Sequence, residues 1–189
     1  MIINTQELTM GDFLSMQVEK FGDREFMYDQ KVRLSYSEFE EMVNCIANGL
    51  VNLGIKKNDK VGVCLPNWHE IAVILFACAK IGATVVPFNP LFKTREIEHI
   101  LINSEPKVLF ITERFIENIG NHFRILEATE LISVRFKDEY FQSFEELLED
   151  GALSEHKIEV PINASEDLFC ILYTSGTTGM PKGVMTTHT

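Results

Sequence analysis

The stretch that decides the fold is VGVCLPNWHEIAVILFACAKIGATVVP, residues 61–87. It opens on a short apolar run, 61–65, which reads as a buried strand. Pro66 and Asn67 end that run. Asn67 stands three residues before Glu70, the spacing of a helix start, so a helix is expected over 67–81. That helix is apolar nearly all round, which predicts burial on more than one side. Gly82 closes it, and 84–86 reads as the next strand before Pro87. Strand, helix and strand in so few residues describe a parallel pair joined by a helical crossover.

The same alternation continues outward. Residues 94–103 read as a helix with Ile97, Ile100 and Leu101 inward, and Pro106 bars its continuation. Strands are expected over 108–111, 131–134 and 168–173. Ser143-Phe-Glu-Glu146 starts a short acidic helix that ends at Gly151, and 152–166 is a polar loop containing Pro161. On the N-terminal side, Thr9-Met-Gly-Asp12 caps a short helix, and 25–28 with 32–36 form a hairpin. Ser35-Tyr-Ser-Glu38 then caps the clearest helix, with Phe39, Val43, Ile46, Leu50 and Leu53 on one face and Gly54 as its stop. The whole predicts an α/β fold: a mostly parallel, doubly wound sheet flanked by helices.

Composition narrows the function. The chain has 189 residues, 46% hydrophobic and 24% charged, as a folded domain requires. Its 17 Lys and Arg against 28 Asp and Glu give a net charge of −11, which argues against a nucleic-acid surface. The longest apolar run, 71–79, falls well short of the roughly 20 residues that span a bilayer, and the first ten residues lack a signal-peptide pattern. No transmembrane segment is expected, and a cytoplasmic location is. Cys45, Cys64, Cys78 and Cys170 show no C-x-x-C spacing and read as small buried hydrophobes. The five histidines are scattered, so no metal site is expected. The acidic run Glu145, Glu146, Glu149, Asp150 reads as a solvated face, Trp68 as a packing anchor, Asn89 as a turn residue and His188 as a helix-start residue.

One segment carries chemistry: Tyr173-Thr-Ser-Gly-Thr-Thr-Gly-Met-Pro-Lys-Gly-Val184. Four hydroxyl residues (Thr174, Ser175, Thr177, Thr178) and three glycines (Gly176, Gly179, Gly183) surround Lys182. Glycines let the backbone take positive φ and approach a ligand, successive N–H groups make anion-binding concavities, and the lysine adds a mobile point charge. It is not a Walker A loop, because Pro181 precedes the lysine and Gly183 stands where Ser or Thr would bind magnesium. A strand over 184–187 should follow, so a helix dipole is not the main anion-holding device.

This segment resembles the signature phosphate-binding loop of the adenylate-forming enzymes: acyl- and aryl-CoA synthetases, peptide-synthetase adenylation domains and beetle luciferases. Leu34-Ser-Tyr-Ser-Glu-Phe39, Val61-Gly-Val-Cys-Leu-Pro-Asn67 with Glu70, and Gly82-Ala-Thr-Val-Val-Pro-Phe-Asn-Pro90 are similar to other parts of that family. Asn89, where peptide synthetases typically show Asp, favours the acyl-CoA synthetase branch. The resemblance implies that a carboxylic acid attacks Mg-ATP to give an acyl-adenylate and pyrophosphate, and that CoA then displaces AMP. It implies that Thr174, Ser175, Gly176, Thr177, Thr178 and Gly179 cradle the β- and γ-phosphates. Lys182 partners the same oxygens, and Pro181 stiffens the loop.

It further implies that residues 1–189 are the N-terminal portion of an adenylation domain. The remainder of that domain and a small C-terminal domain, with the magnesium, ribose and adenylation-lysine residues, lie outside. On this reading the chain alone is inactive and self-associates through surface left bare. Two other readings stand beside it: an adenylation domain that loads a carrier protein, and a non-catalytic remnant that binds nucleotide or a partner.

Overall fold

The computed structural model describes residues 8–30, 32–119, 126–154, 158–174 and 179–189. Ser175, Gly176, Thr177 and Thr178 of the expected phosphate loop lie outside the described residues.

The chain begins with α1 (Met10–Phe21), opened by a reciprocal cap between Thr9 and Asp12. Strands β1 (Glu25–Asp29) and β2 (Val32–Ser35) pair antiparallel as a separate two-stranded sheet. Ser35 and Glu38 cap α2 (Tyr36–Asn52), which buries Phe39, Val43, Ile46 and Leu50. Leu53, expected on the same face, follows the last helical turn and is exposed, while Gly54 takes positive φ as the stop.

Then come β3 (Lys60–Cys64), α3 (His69–Ile81), β4 (Thr84–Pro87), α4 (Thr94–Ser104) and β5 (Val108–Ile111). The expected strands and helices fall here within about two residues. α3 has no exposed residue, which explains its all-round apolar sequence. Its start differs from expectation. Trp68, not Asn67, is the N-cap, and it offers no side-chain bond. The backbone N–H of His69 donates instead to Asp29 Oδ2, at the end of β1, 3.2 Å away. A carboxylate from a distant hairpin thus does what a local Asn was expected to do.

The remaining elements are α5 (Glu113–Ile119), β6 (Glu130–Ser133), β7 (Gln142–Ser143), α6 (Phe144–Ala152), β8 (Leu168–Thr174) and β9 (Lys182–Thr187). The seven-stranded sheet runs β7-β6-β5-β3-β4-β8-β9, parallel throughout except for the antiparallel β8–β9 pair. From β3 the chain crosses to β4 on one side, then returns to β5 on the other. Crossovers of one hand in opposite directions place their helices on opposite faces.

The core divides accordingly. Val61, Val63, Val85, Val108 and Phe110 face one apolar cluster with α2, α3 and α6. Cys64, Val86, Leu109 and Ile111 face a second cluster with α4 and α5. Alternate residues of each strand thereby fill both clusters, the pattern of a doubly wound sheet. Cys64, Cys78 and Cys170 are buried free thiols whose pKa burial raises, that of Cys170 to about 11, as inert packing residues require. The four acidic residues at 145, 146, 149 and 150 are all exposed. No helix among the described residues is long and apolar enough to cross a membrane.

Candidate functional site

Ligands of open α/β sheets bind outside the carboxyl ends of the strands, near the point where strand order reverses. Here a cleft of about 820 Å3 lies at those ends, between the segments that follow β3, β4 and β5 and the end of β8. Trp68, Phe88 and Leu172 supply apolar wall. Thr112, Arg114 and Tyr173 supply polar groups. The Thr112 hydroxyl oxygen is buried without a hydrogen-bond partner among the described residues, and burial raises the Tyr173 pKa, so its phenol stays protonated near neutral pH. Asn89 at the rim makes a turn, its Oδ1 accepting the Leu91 N–H at 2.8 Å, as its sequence position predicts.

Tyr173 leads straight from this cleft into the glycine- and hydroxyl-rich segment. β8 and β9 form its two stems, and Thr174 faces Lys182 as the last strand pair. The segment is therefore carried between two strands, as the sequence predicts. Gly179 has φ 93°, a conformation that L side chains rarely adopt. The Lys182 side chain has no ion-pair partner among the described residues. A glycine at positive φ three residues before a lysine with no ion-pair partner among the described residues suits a polyanion. Gly183 does a different job: a Cβ there would stand 2.9 Å from Ile171 Cγ2 and 3.3 Å from the Tyr173 ring.

A second polar cluster, not recognised in the sequence, sits at the start of α3. Arg135 donates from Nε and one terminal nitrogen to the two oxygens of Glu70, at 2.6 and 2.9 Å, and also to Asp29. Its guanidinium lies 4.3 Å over the Trp68 ring. His69 Nδ1 is 3.1 Å from both Asp29 and Arg135. Asp29, His69 and Glu70 offer ligand atoms close enough for a metal ion, but Arg135 places a fixed cation among them. These groups come from residues 29, 69–70 and 135. The one local signal was the helix-start position of Glu70. Trp68 is the packing anchor it was expected to be, half-buried between this network and the main cleft.

His188 makes contacts far from it in sequence. Its side chain is buried, stacks near Phe169, and accepts the Met10 N–H through Nδ1 at 3.2 Å. It thereby accepts a hydrogen bond from the first residue of α1, beside the Thr9–Asp12 cap.

A family model described as AMP-binding enzyme matches residues 14–189, nearly the whole chain. The chain belongs to the AMP-binding enzyme family. Within this family, it is 34% identical to a putative acyl--CoA ligase, YdaB, of Bacillus subtilis, covering 82% of this chain and 30% of that protein. It is 28% identical to a probable non-canonical nonribosomal peptide synthetase, CymA, of Salinispora arenicola, covering 96% of this chain and 2% of that one. The structure of a long-chain-fatty-acid-CoA ligase from Archaeoglobus fulgidus superposes with a TM-score of 0.81 at 31% identity, over 96% of this chain and 37% of that one. The chain spans about a third of the length of the curated acyl-CoA ligases it matches.

Proposed function

We propose that this chain is the N-terminal portion of the adenylation domain of an AMP-forming acid–thiol ligase, and that residues 174–182 hold the phosphates of ATP. The observation that carries the reading is a glycine at positive φ, Gly179, three residues before Lys182, which faces Thr174 as the first residue of the second stem of the β8–β9 hairpin and has no ion-pair partner among the described residues. In the reaction, a carboxylate attacks the α-phosphate of Mg-ATP, releasing pyrophosphate, and the thiol of CoA then displaces AMP from the acyl-adenylate. This chain's part lies in the first step. Backbone N–H groups and hydroxyls of Thr174, Ser175, Gly176, Thr177, Thr178 and Gly179 orient the β- and γ-phosphates. Lys182 neutralises charge as it moves onto the leaving pyrophosphate. Pro181 fixes the backbone before Lys182.

The cleft beside Tyr173, apolar with a few polar groups, suits the tail or ring of an organic acid more than a second phosphate group. A fatty or aryl carboxylic acid is the proposed substrate class. Residues for magnesium and adenine are assigned to the remainder of the large domain, and the adenylation lysine to the small C-terminal domain. The CymA match favours one other acceptor, the thiol of a carrier protein, with the same first step. Calorimetric titration with ATP or inorganic pyrophosphate tests the loop. Lys182→Ala should weaken binding about tenfold or more. Equal binding by that variant would remove the loop from the reading. Carboxylate-dependent ATP–pyrophosphate exchange by the 189-residue chain itself would overturn the assignment of the chemistry to further residues.

A further inference from the structure

We propose that His99 is a positioning residue that ties the lysine-bearing stem of the phosphate loop to α4 and thereby sets the loop's affinity for polyphosphate. The proposal rests on the reading of Lys182 as a phosphate ligand. His99 Nε2 stands 3.0 Å from the carbonyl oxygen of Pro181, 82 residues away in sequence. A carbonyl can only accept, so Nε2 must carry the hydrogen.

The other side of the ring makes the same demand independently. Asn103 Nδ2 lies 2.6 Å from the His99 carbonyl oxygen and 3.2 Å from His99 Nδ1. The carbonyl decides which end of the Asn103 amide faces inward, because an amide oxygen placed there would meet another acceptor. The NH2 group therefore faces Nδ1, and Nδ1 must accept. Both partners thus select one neutral tautomer and hold the ring in one orientation, the arrangement by which a second residue fixes a functional histidine.

The position of the bond gives it consequence. Pro181 immediately precedes Lys182, which pairs with Thr174 as the last rung of the hairpin. Below that rung, Ile171 and Tyr173 pack against the apolar cluster that contains Ile97 and Ile100 of α4. The hairpin and α4 share one apolar surface, and the His99 bond carries that contact one residue past the last strand pair. Proline has no N–H, so its carbonyl is the backbone group available for such a tie. With the bond made, the backbone entering Lys182 is ordered before a ligand arrives, and less of the ordering cost falls on binding.

The test is titration of the chain with inorganic pyrophosphate, together with amide exchange at Gly183 and Val184 and thermal midpoints. His99→Leu fills the space without a donor, and His99→Gln supplies an amide donor of similar reach. His99→Leu should bind about three- to tenfold more weakly, the effect of one net hydrogen bond, and exchange faster at those amides. His99→Gln should restore most of both, with thermal midpoints of the two variants alike. If Lys182→Ala weakens binding while His99→Leu does not, the proposal fails and the loop reading stands. If His99→Gln is as weak as His99→Leu, the ring acts by packing and the proposal fails. If pyrophosphate does not bind the unmodified chain, or binds Lys182→Ala equally well, the loop reading falls and takes the proposal with it.

Discussion

Gly151 of α6 packs so closely on α2 that a Cβ built on it would stand 1.8 Å from the carbonyl oxygen of Cys45. The contact is reciprocal, since a Cβ on Gly49 would stand 2.7 Å from the carbonyl oxygen of Leu147. Two glycines let two helix backbones meet. Gly151→Ala must drive α6 off α2, because the obstacle is backbone and cannot rotate away. Overpacking costs about 1–3 kcal/mol, and a backbone clash belongs at the top of that range. Urea unfolding should show a loss of about 3 kcal/mol. A loss under about 0.5 kcal/mol would mean that α6 shifts freely.

Arg135 is the hub of the cluster at the start of α3. Its side chain is 12% exposed and serves both Glu70 and Asp29. Removing one partner of a buried ion pair leaves the other charge uncompensated, at a cost of about 3–5 kcal/mol. Arg135→Ala leaves two carboxylates facing each other and should lose about that much in chemical unfolding. Arg135→Lys should recover little, since a point charge cannot reproduce the fork on Glu70 or the stack on Trp68. Adding Glu70→Gln to Arg135→Ala should recover part of the loss. A double variant no more stable than Arg135→Ala would show that charge is not the cause.

Most of the fold was legible because its signals are local. Three reciprocal caps, Thr9 with Asp12, Ser35 with Glu38 and Ser143 with Glu146, mark helix starts within four residues each. Short apolar runs between prolines and glycines mark the strands. What was missed has no local signal. α5 is seven residues, too short to show a period, and β7 is two residues defined only by pairing with β6. The cap on α3 comes from Asp29, forty residues upstream. At the candidate site, the ordered glycines, hydroxyls and lysine of one continuous loop could be read directly. The cleft wall, the Arg135 cluster and the His99 tie bring together residues from separate elements, and only the folded topology does that.

His188 gives the stability a pH dependence of predictable sign. Burial, the larger effect, pushes the imidazole pKa below its ordinary value, while the Asp167 and Asp12 charges pull the other way. A base with a depressed folded pKa binds its proton more readily when unfolded, so acid favours unfolding. The effect is absent above the unfolded value of about 6.5 and grows as pH falls below it, until the folded pKa is passed. Asp167 acts lower on the scale. Its hydrogen bond from Lys57, then that from the Asn163 backbone, depresses its pKa, so its contribution is lost only as pH falls below the ordinary carboxylate range. Between pH 7.5 and 5.5, urea unfolding of the unmodified chain should therefore show a fall in stability. His188→Asn, which keeps an acceptor for the Met10 N–H, should flatten it. An unchanged slope in that variant would assign the dependence to other groups.

Gly179 and Gly183 belong to one motif but should fail for different reasons. At Gly179 a Cβ would meet nothing within 4 Å among the described residues, and the φ of 93° opposes a side chain. Forcing an L residue into left-handed backbone costs roughly 1–2 kcal/mol. Gly179→Ala should escape that cost by relaxing the turn, which leaves the unfolding midpoint unchanged and weakens pyrophosphate binding about five- to thirtyfold. At Gly183 the conformation is ordinary and space is the obstacle, with Ile171 and the Tyr173 ring in the way. Gly183→Ala must displace both side chains, so its cost should appear as lower stability and as a changed near-ultraviolet signal from Tyr173. Parallel titrations and melts of the two variants separate the mechanisms. Equal loss of stability in both would mean that the left-handed turn at Gly179 cannot relax.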